Sequence, residues 1–437
     1  MPDTTLGPFE AVRGLHYDAA FPMMLPVRLH FPAADIADIA AETCRALEPL
    51  RSKIRPGATV ALTAGSRGIR DIAAVVRAAG EWLRAVGAEP FVVPAMGSHG
   101  GATADGQLEL LRGLHMTEET LGMPVRATME TIELGRLGQG PQVHLDACAA
   151  QADWILPINR VKAHTDFKSA IESGLAKILA VGLGKHRGAA ELHRFGPSNL
   201  GTWIPEAARR IVGTGRVLGG LAILENAYDR TARISLLAAE DIGGPAEAAL
   251  LREAKELMAR LPFDDLDVAI IDVMGKNISG AGMDTNVIGR MMIRDSPEFD
   301  GPRIRNIVVL DLSDESHGNA VGMGLADFMP FRVVEKLDLR SVYINAMTAG
   351  LGGPQRAQVP IALPTDRSAI AAALLTCGRA DLADARLIRM RSTLDLENLL
   401  VSVSLTSQVE AAEHLSIVGE PEPLRFDEAG GLLPWTT

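Results

Sequence analysis

Residues 58–64, Ala-Thr-Val-Ala-Leu-Thr-Ala, form an apolar run of strand length that stops at Gly-Ser-Arg-Gly, after which apolar positions recur with helical spacing from Ile69 to Val86. A second apolar run, Pro90 to Ala95, follows Gly87 and ends in a Gly-rich turn holding Gly97, His99, Gly100 and Gly101, with Thr103 placed to cap a helix. The pattern returns at Ala152 to Ile158, which reads as a strand buried on both faces, followed by a polar loop from Asn159 to Lys168. Strands alternating with helices predict an α/β fold with a mainly parallel sheet. In open sheets of this kind ligands gather at the loops after strand C-termini, so Arg67, His99 and His164, each beyond an apolar run, are expected to converge.

The pattern changes near Leu261. A helical stretch closes at Pro262, the acidic Phe-Asp-Asp-Leu-Asp follows, and Val268 to Met274 opens a new apolar strand. Further strands are expected at 304–312, 341–347 and 397–405, with a helix over 367–377. The expected organisation is therefore an N-terminal α/β domain over 1–262 and a C-terminal α/β domain over 263–410. A Pro- and Gly-rich tail, 411–437, is expected to pack back on the first domain. Each domain is expected to hold a mainly parallel or mixed sheet flanked by helices, with the active site in the cleft between them.

Composition narrows the function classes. With 437 residues, 47% hydrophobic and 22% charged, the chain can bury a substantial interior and shows no sign of disorder. A net charge of −11 opposes a duplex or an anionic membrane, so neither nucleic acid nor membrane is an expected partner. The opening Met-Pro-Asp-Thr-Thr-Leu-Gly has no basic-then-apolar leader, and no run approaches the ~18 apolar residues of a bilayer span, so a cytoplasmic address is expected. Cys44, Cys148 and Cys377 are too few and too widely spaced for a metal pair or a disulfide framework, which leaves histidine as the metal ligand of choice. A small-molecule substrate is expected, and assembly with further copies of the chain is left open.

Four residues carry the chemistry: His99, His164, and Lys177 with His193 sixteen positions later. Imidazole serves as acid, base or metal ligand near neutral pH, and an amine in an apolar stretch is kept neutral and nucleophilic. Arg67 offers a planar fork for a carboxylate, and its turn, Ser66-Arg67-Gly68, opens a helix and equally suits a phosphate. Each also has an ordinary explanation. His99 reads as a solvated loop side chain, His193 as a helix-terminal histidine, Lys177 as a lysine lying along a packed helix, and Arg67 as a partner of Asp71. His186 competes as ligand or base, Lys162 and Lys168 as amines, and His317 with Asp314 and Glu315 reads as a solvated turn.

The chain resembles the nickel-dependent lactate racemases, or nickel-pincer-cofactor-dependent isomerases. The likeness rests on the Ser66-Arg67 turn, on Gly97-Ser98-His99-Gly100 and on the Lys177-to-His193 spacing, and runs roughly along the whole chain in order. It implies that Lys177 tethers a pyridinium dithio mononucleotide through a thioamide, with Ser66 and Gly68 beside the cofactor. It implies that His193 ligates nickel in a square-planar site completed by two sulfurs and a carbon of the cofactor, a geometry Ni(II) accepts. His99 and His164 would be acid/bases on opposite faces of a 2-hydroxy acid, whose hydride leaves C2 and returns to either face. Arg67 would bind the substrate carboxylate, and Lys276, within Gly275 to Gly280, would meet an anionic group from the second domain.

The resemblance also implies cofactor-synthesis proteins as partners, and an apo form where they are missing. Departures from the family pattern lie at Ala64 and Gly68, where the family has an acidic residue and a proline, and in the twelve residues between His164 and Lys177, a wider gap than the family's. The hydroxy acid, and whether the reaction is racemisation or epimerisation, stay open. Two other readings remain: a zinc hydrolase with His99, His164 and His193 as ligands, and an inactive small-molecule-binding homologue.

Overall fold

The computed structural model describes Val12 and residues 14–66, 68–299 and 301–435. The chain is mixed α/β, with several sheets flanked by helices. It divides into two compact units, one of residues 32–258, the other of the described residues up to Phe31 together with those from Ala259 onward.

In the unit of residues 32–258, the strand Thr59–Ala64 lies between the parallel strands Glu89–Pro94 and Trp154–Leu156. Its apolar residues alternate between two cores. Val60, Leu62 and Ala64 pack with Val75, Val76 and Leu83 of the helix Ile72–Ala85, while Ala61 joins Phe91, Val93 and Ile155. The strand expected over 152–158 is in fact two. Pro157 has no N–H to continue the ladder, and the chain passes from Trp154–Leu156 to Ile158–Arg160, which pairs with Gly220–Glu225 in a separate sheet. The buried hydroxyl of Thr63 spans the break: it accepts from the Ile158 amide at 2.9 Å and donates to the Ile158 carbonyl at 3.2 Å. Thr103 caps the helix Ala104–Gly113 as expected, its hydroxyl accepting from Gly106 N at 3.1 Å.

The second unit is built on one eight-stranded sheet. In order across it run Ile361–Leu363, Phe328–Pro330, Arg303–Val309, Asp265–Ile271, Leu387–Met390, Asn398–Ser402, Met24–Leu29 and Leu415–Ile417. The first five are parallel and the rest antiparallel. This corrects two expectations. Met24–Leu29, assigned to a 1–262 domain, pairs with Asn398–Ser402 and sends Leu25, Val27 and Leu29 into this unit's core. The tail, expected on the first domain, exchanges backbone bonds between Met24 and Glu422, and Leu432 N donates to Asp366 at 2.8 Å. Arg389 donates to Leu433 O at 3.0 Å and lies 4.4 Å from the centre of the Trp435 ring.

The strand expected over 341–347 is a helix, Leu339–Thr348. Asp338 caps it by accepting from Arg340 N, and its buried positions are Val342 and Ala346, four apart, whereas Tyr343, Ile344 and Met347 are exposed. The helical period of burial overrides the β-branched composition. Among the described residues no helix is long and apolar enough to cross a membrane.

Candidate functional site

The candidate residues that gather do so in the unit of residues 32–258. Lys177 ends the short helix Leu175–Lys177, which runs directly into a π-helical turn, Ile178–Gly182, a rare form often found at functional sites. The start of this helix is held from below by Glu247, 1% exposed, whose carboxylate accepts from Ala176 N at 3.1 Å and from Gly243 N at 2.8 Å. Burial pushes the Glu247 carboxyl above its usual range, against the pull of these backbone donors. Gly174 admits the carboxylate, since a Cβ there would fall 2.4 Å from Glu247 Oε1.

Lys177 Nζ lies 2.7 Å from His164 Nε2. The loop bearing His164 is fastened by a second buried carboxylate, Glu172, which accepts from His164 N at 2.7 Å, Ser169 N at 3.2 Å and the Lys255 ammonium at 2.6 Å. The Asp166 amide donates to His164 Nδ1 at 3.1 Å, so Nδ1 carries a lone pair and the neutral ring holds its proton on Nε2. Nε2 faces the Lys177 nitrogen. Burial first, and then the neighbouring Lys177, push the His164 imidazole well below its usual range; Lys162 and His193 add in the same sense and Asp166 opposes. Phe167 walls the ring at 4.5 Å between centroids.

His193 is the last residue of the helix Lys185–His193, and its Nδ1–H donates to the Ala189 carbonyl at 2.6 Å. The lone pair is thereby placed on Nε2, as in an imidazole prepared to bind a metal. His99 is exposed, and its Nδ1 is hydrogen-bonded to Ser66 Oγ, so the turns after two adjacent strands meet as their order predicts. The His99 loop abuts the Lys177 segment. Gly97 N donates to Gly182 O at 3.1 Å, and a Cβ on Gly97 would lie 3.3 Å from Val181 O and 3.4 Å from Ala189 Cβ. Its positive φ of 59° is a second reason for glycine there.

Arg67 lies outside the described residues. Gly68 beside it has open space where a Cβ would be, so packing does not require glycine there. Lys276 belongs to the other unit, where its ammonium donates to Gly280 O at 2.8 Å and Val321 O at 2.9 Å and closes its own loop. His317 occupies a left-handed turn residue, φ 47°, after Asp314–Ser316, as the solvated-turn reading has it. His186 is exposed, and Lys168 reaches Glu172 at 3.9 Å. Among the described residues no three His, Cys, Asp or Glu side chains gather as a metal-holding set, so His99, His164 and His193 do not form the three-ligand arrangement a zinc hydrolase needs. Sequence reasoning missed Glu172 and Glu247; the one available signal was a carboxylate close to a helix start.

No family model matches the chain, and no curated protein matches it. Among solved structures it is similar to the lactate racemase apoprotein from Thermoanaerobacterium thermosaccharolyticum, at 10% identity and a TM-score of 0.43, over 77% of this chain and 93% of that one.

Proposed function

We propose that this chain inverts a 2-hydroxy acid at C2, holding a nickel-bearing dithio pyridinium nucleotide through Lys177 and His193. One observation carries the reading: the Lys177 amine lies 2.7 Å from His164, in the same unit as a His193 whose Nδ1 is already committed to Ala189. Acylation at Lys177 Nζ requires the neutral form of that amine. His193 Nε2 would be the protein's one donor to nickel, so the lack of a three-residue set is no obstacle. When bound, the nucleotide supplies an acceptor for hydride from C2 and a donor for its return.

The chain's own residues handle the proton. Burial disfavours the charged form of His164, and the ring would take a hydroxyl proton at Nδ1 once the Asp166 amide gives way. His99, oriented by Ser66, is the second base, and two are needed because each hand of the substrate offers its hydroxyl from a different side.

Intact-mass measurement after co-expression with proteins that synthesise the nucleotide tests the reading. An adduct on the wild-type chain that is absent from Lys177→Ala is expected, and the loaded chain should interconvert the enantiomers of a 2-hydroxy acid on chiral chromatography. His99→Ala and His164→Ala should keep the adduct and lose the interconversion. An adduct that persists in Lys177→Ala, or unchanged interconversion by His164→Ala, would overturn it.

A further inference from the structure

The geometry points to Lys185, Asp146 and Gln107 as a buried positioning network that sets the His99 loop against the helix ending at His193. Lys185 is fully buried at the first position of that helix, in a left-handed conformation (φ 54°) that a lysine adopts at an energetic cost. Its ammonium lies 2.5 Å from Pro94 O and 3.0 Å from Gln107 Oε1. Asp146 Oδ2, also fully buried, stands 3.1 Å away as an ion-pair partner without hydrogen-bond alignment. The other Asp146 oxygen accepts from Ala149 N at 2.8 Å, at the start of the helix Ala147–Gln151. One cation thus ties together the end of the strand Glu89–Pro94, the helix Ala104–Gly113, the end of the strand Gln142–Asp146 and the helix bearing His193.

Gln107 passes this anchoring to the candidate site. Its oxygen is taken by a donor-only ammonium, so its amide cannot flip, and the NH2 must face the loop. There Nε2 donates to Gly97 O at 3.0 Å and to His99 O at 3.3 Å. Gly97, Gly100 and Gly101 all have positive φ, which gives the loop little stiffness of its own. Burying a lysine and an aspartate is a poor way to gain stability alone, because desolvation offsets most of their attraction. What the pair provides is a fixed direction for an amide that grips the carbonyls on either side of Ser98.

That this geometry matters for catalysis rests on the proposed role of His99, but the test does not. Gln107→Met keeps the bulk of the side chain and removes both grips. Amide hydrogen exchange followed by NMR should show Gly97 and His99 exchanging at least about tenfold faster, with Val60 and Leu62 of the central strand unchanged, the mark of local opening. The ring-nitrogen resonances of His99 should lose the signature of the Ser66 hydrogen bond. A folded Gln107→Met with wild-type exchange at Gly97 and His99 overturns the proposal. So does a uniform acceleration across the unit, which would make the network a general stabiliser. Should Gln107→Met not fold, Gln107→Asn, which keeps the amide but is one methylene short, is read by the same criteria. Failure of 2-hydroxy acid turnover with the exchange result as expected sinks the proposed function and leaves the network standing.

Discussion

Two Gly-rich loops, one in each unit, follow the C-terminal ends of parallel strands: Gly97–Gly101 after Glu89–Pro94, and Gly275–Gly280 after Asp265–Ile271. Both carry a chemistry-bearing side chain, and both leave backbone carbonyls that need donors. They meet that need differently. In the first loop a residue from outside, Gln107, donates to the carbonyls of Gly97 and His99, and the imidazole is turned to Ser66. In the second, Lys276 donates to Gly280 O and Val321 O, so the charged side chain is itself the fastener. A polar side chain in a glycine-rich turn is available for chemistry to the extent that something else holds the turn.

The largest effect should come from removing what stands behind the first loop. Asp146→Ala leaves the Lys185 ammonium buried without its counter-charge and removes a helix cap, and should cost about 3–5 kcal/mol of unfolding free energy by chemical denaturation. A loss under about 1 kcal/mol would show that the pair is not the anchor it looks like. In the second loop the fastener is Lys276, and Lys276→Met should cost about 1.5–3 kcal/mol, the usual worth of hydrogen bonds to a charged donor. If the denaturation midpoint does not move, the contrast between the loops fails on that side.

How much of this was legible along the chain depends on the range of the interaction. The meeting of Ser66 with His99 follows from two neighbouring parallel strands whose apolar runs and glycine turns are plain in the sequence. The Thr103 cap is a matter of three residues. Glu247 and Lys185 act across 71 and 91 positions, and nothing in local periodicity marks a glutamate in a first helical turn, or a lysine after two glycines, as buried. Lys276 was legible as a lysine in a flexible turn but not as the donor closing it, because the carbonyl of Val321 lies 45 positions on. The tail and the strand Met24–Leu29 were misassigned for the same reason: pairing partners nearly four hundred residues apart, as Met24 and Glu422 are, leave no local trace.

Acid should expose the state of the first unit's half-buried His164 imidazole. His164 is held below its ordinary value of 6.5, so between that value and its lower folded one the unfolded chain binds a proton that the folded chain does not. Stability from this group is fully present above about pH 6.5 and is lost as the pH falls toward the folded value, with a slope of up to ~1.4 kcal/mol per pH unit. His144, pushed down by burial, adds in the same sense, so the telling quantity is the slope in wild type minus that in His164→Asn. Equal slopes between pH 6.5 and 5 would mean that the ring is not held neutral in the folded chain.

The smallest expected change tests the contrast between the loops most sharply. His99→Ala removes an exposed side chain whose loop is gripped through backbone carbonyls that alanine also possesses. The bonds from Gln107 to Gly97 O and residue 99 O survive the substitution, as does the Gly97 contact to Gly182. The Ser66 hydrogen bond is lost, at a surface where water replaces it. Stability should therefore stay within about 0.5 kcal/mol of wild type, the range of ordinary surface substitutions, while Lys276→Met in the matching loop falls well outside it. A destabilisation by His99→Ala as large as that of Lys276→Met would place the imidazole among the fasteners. His99 would then have to hold its turn and move a proton with the same ring, and the division of labour between Gln107 and His99 would be lost.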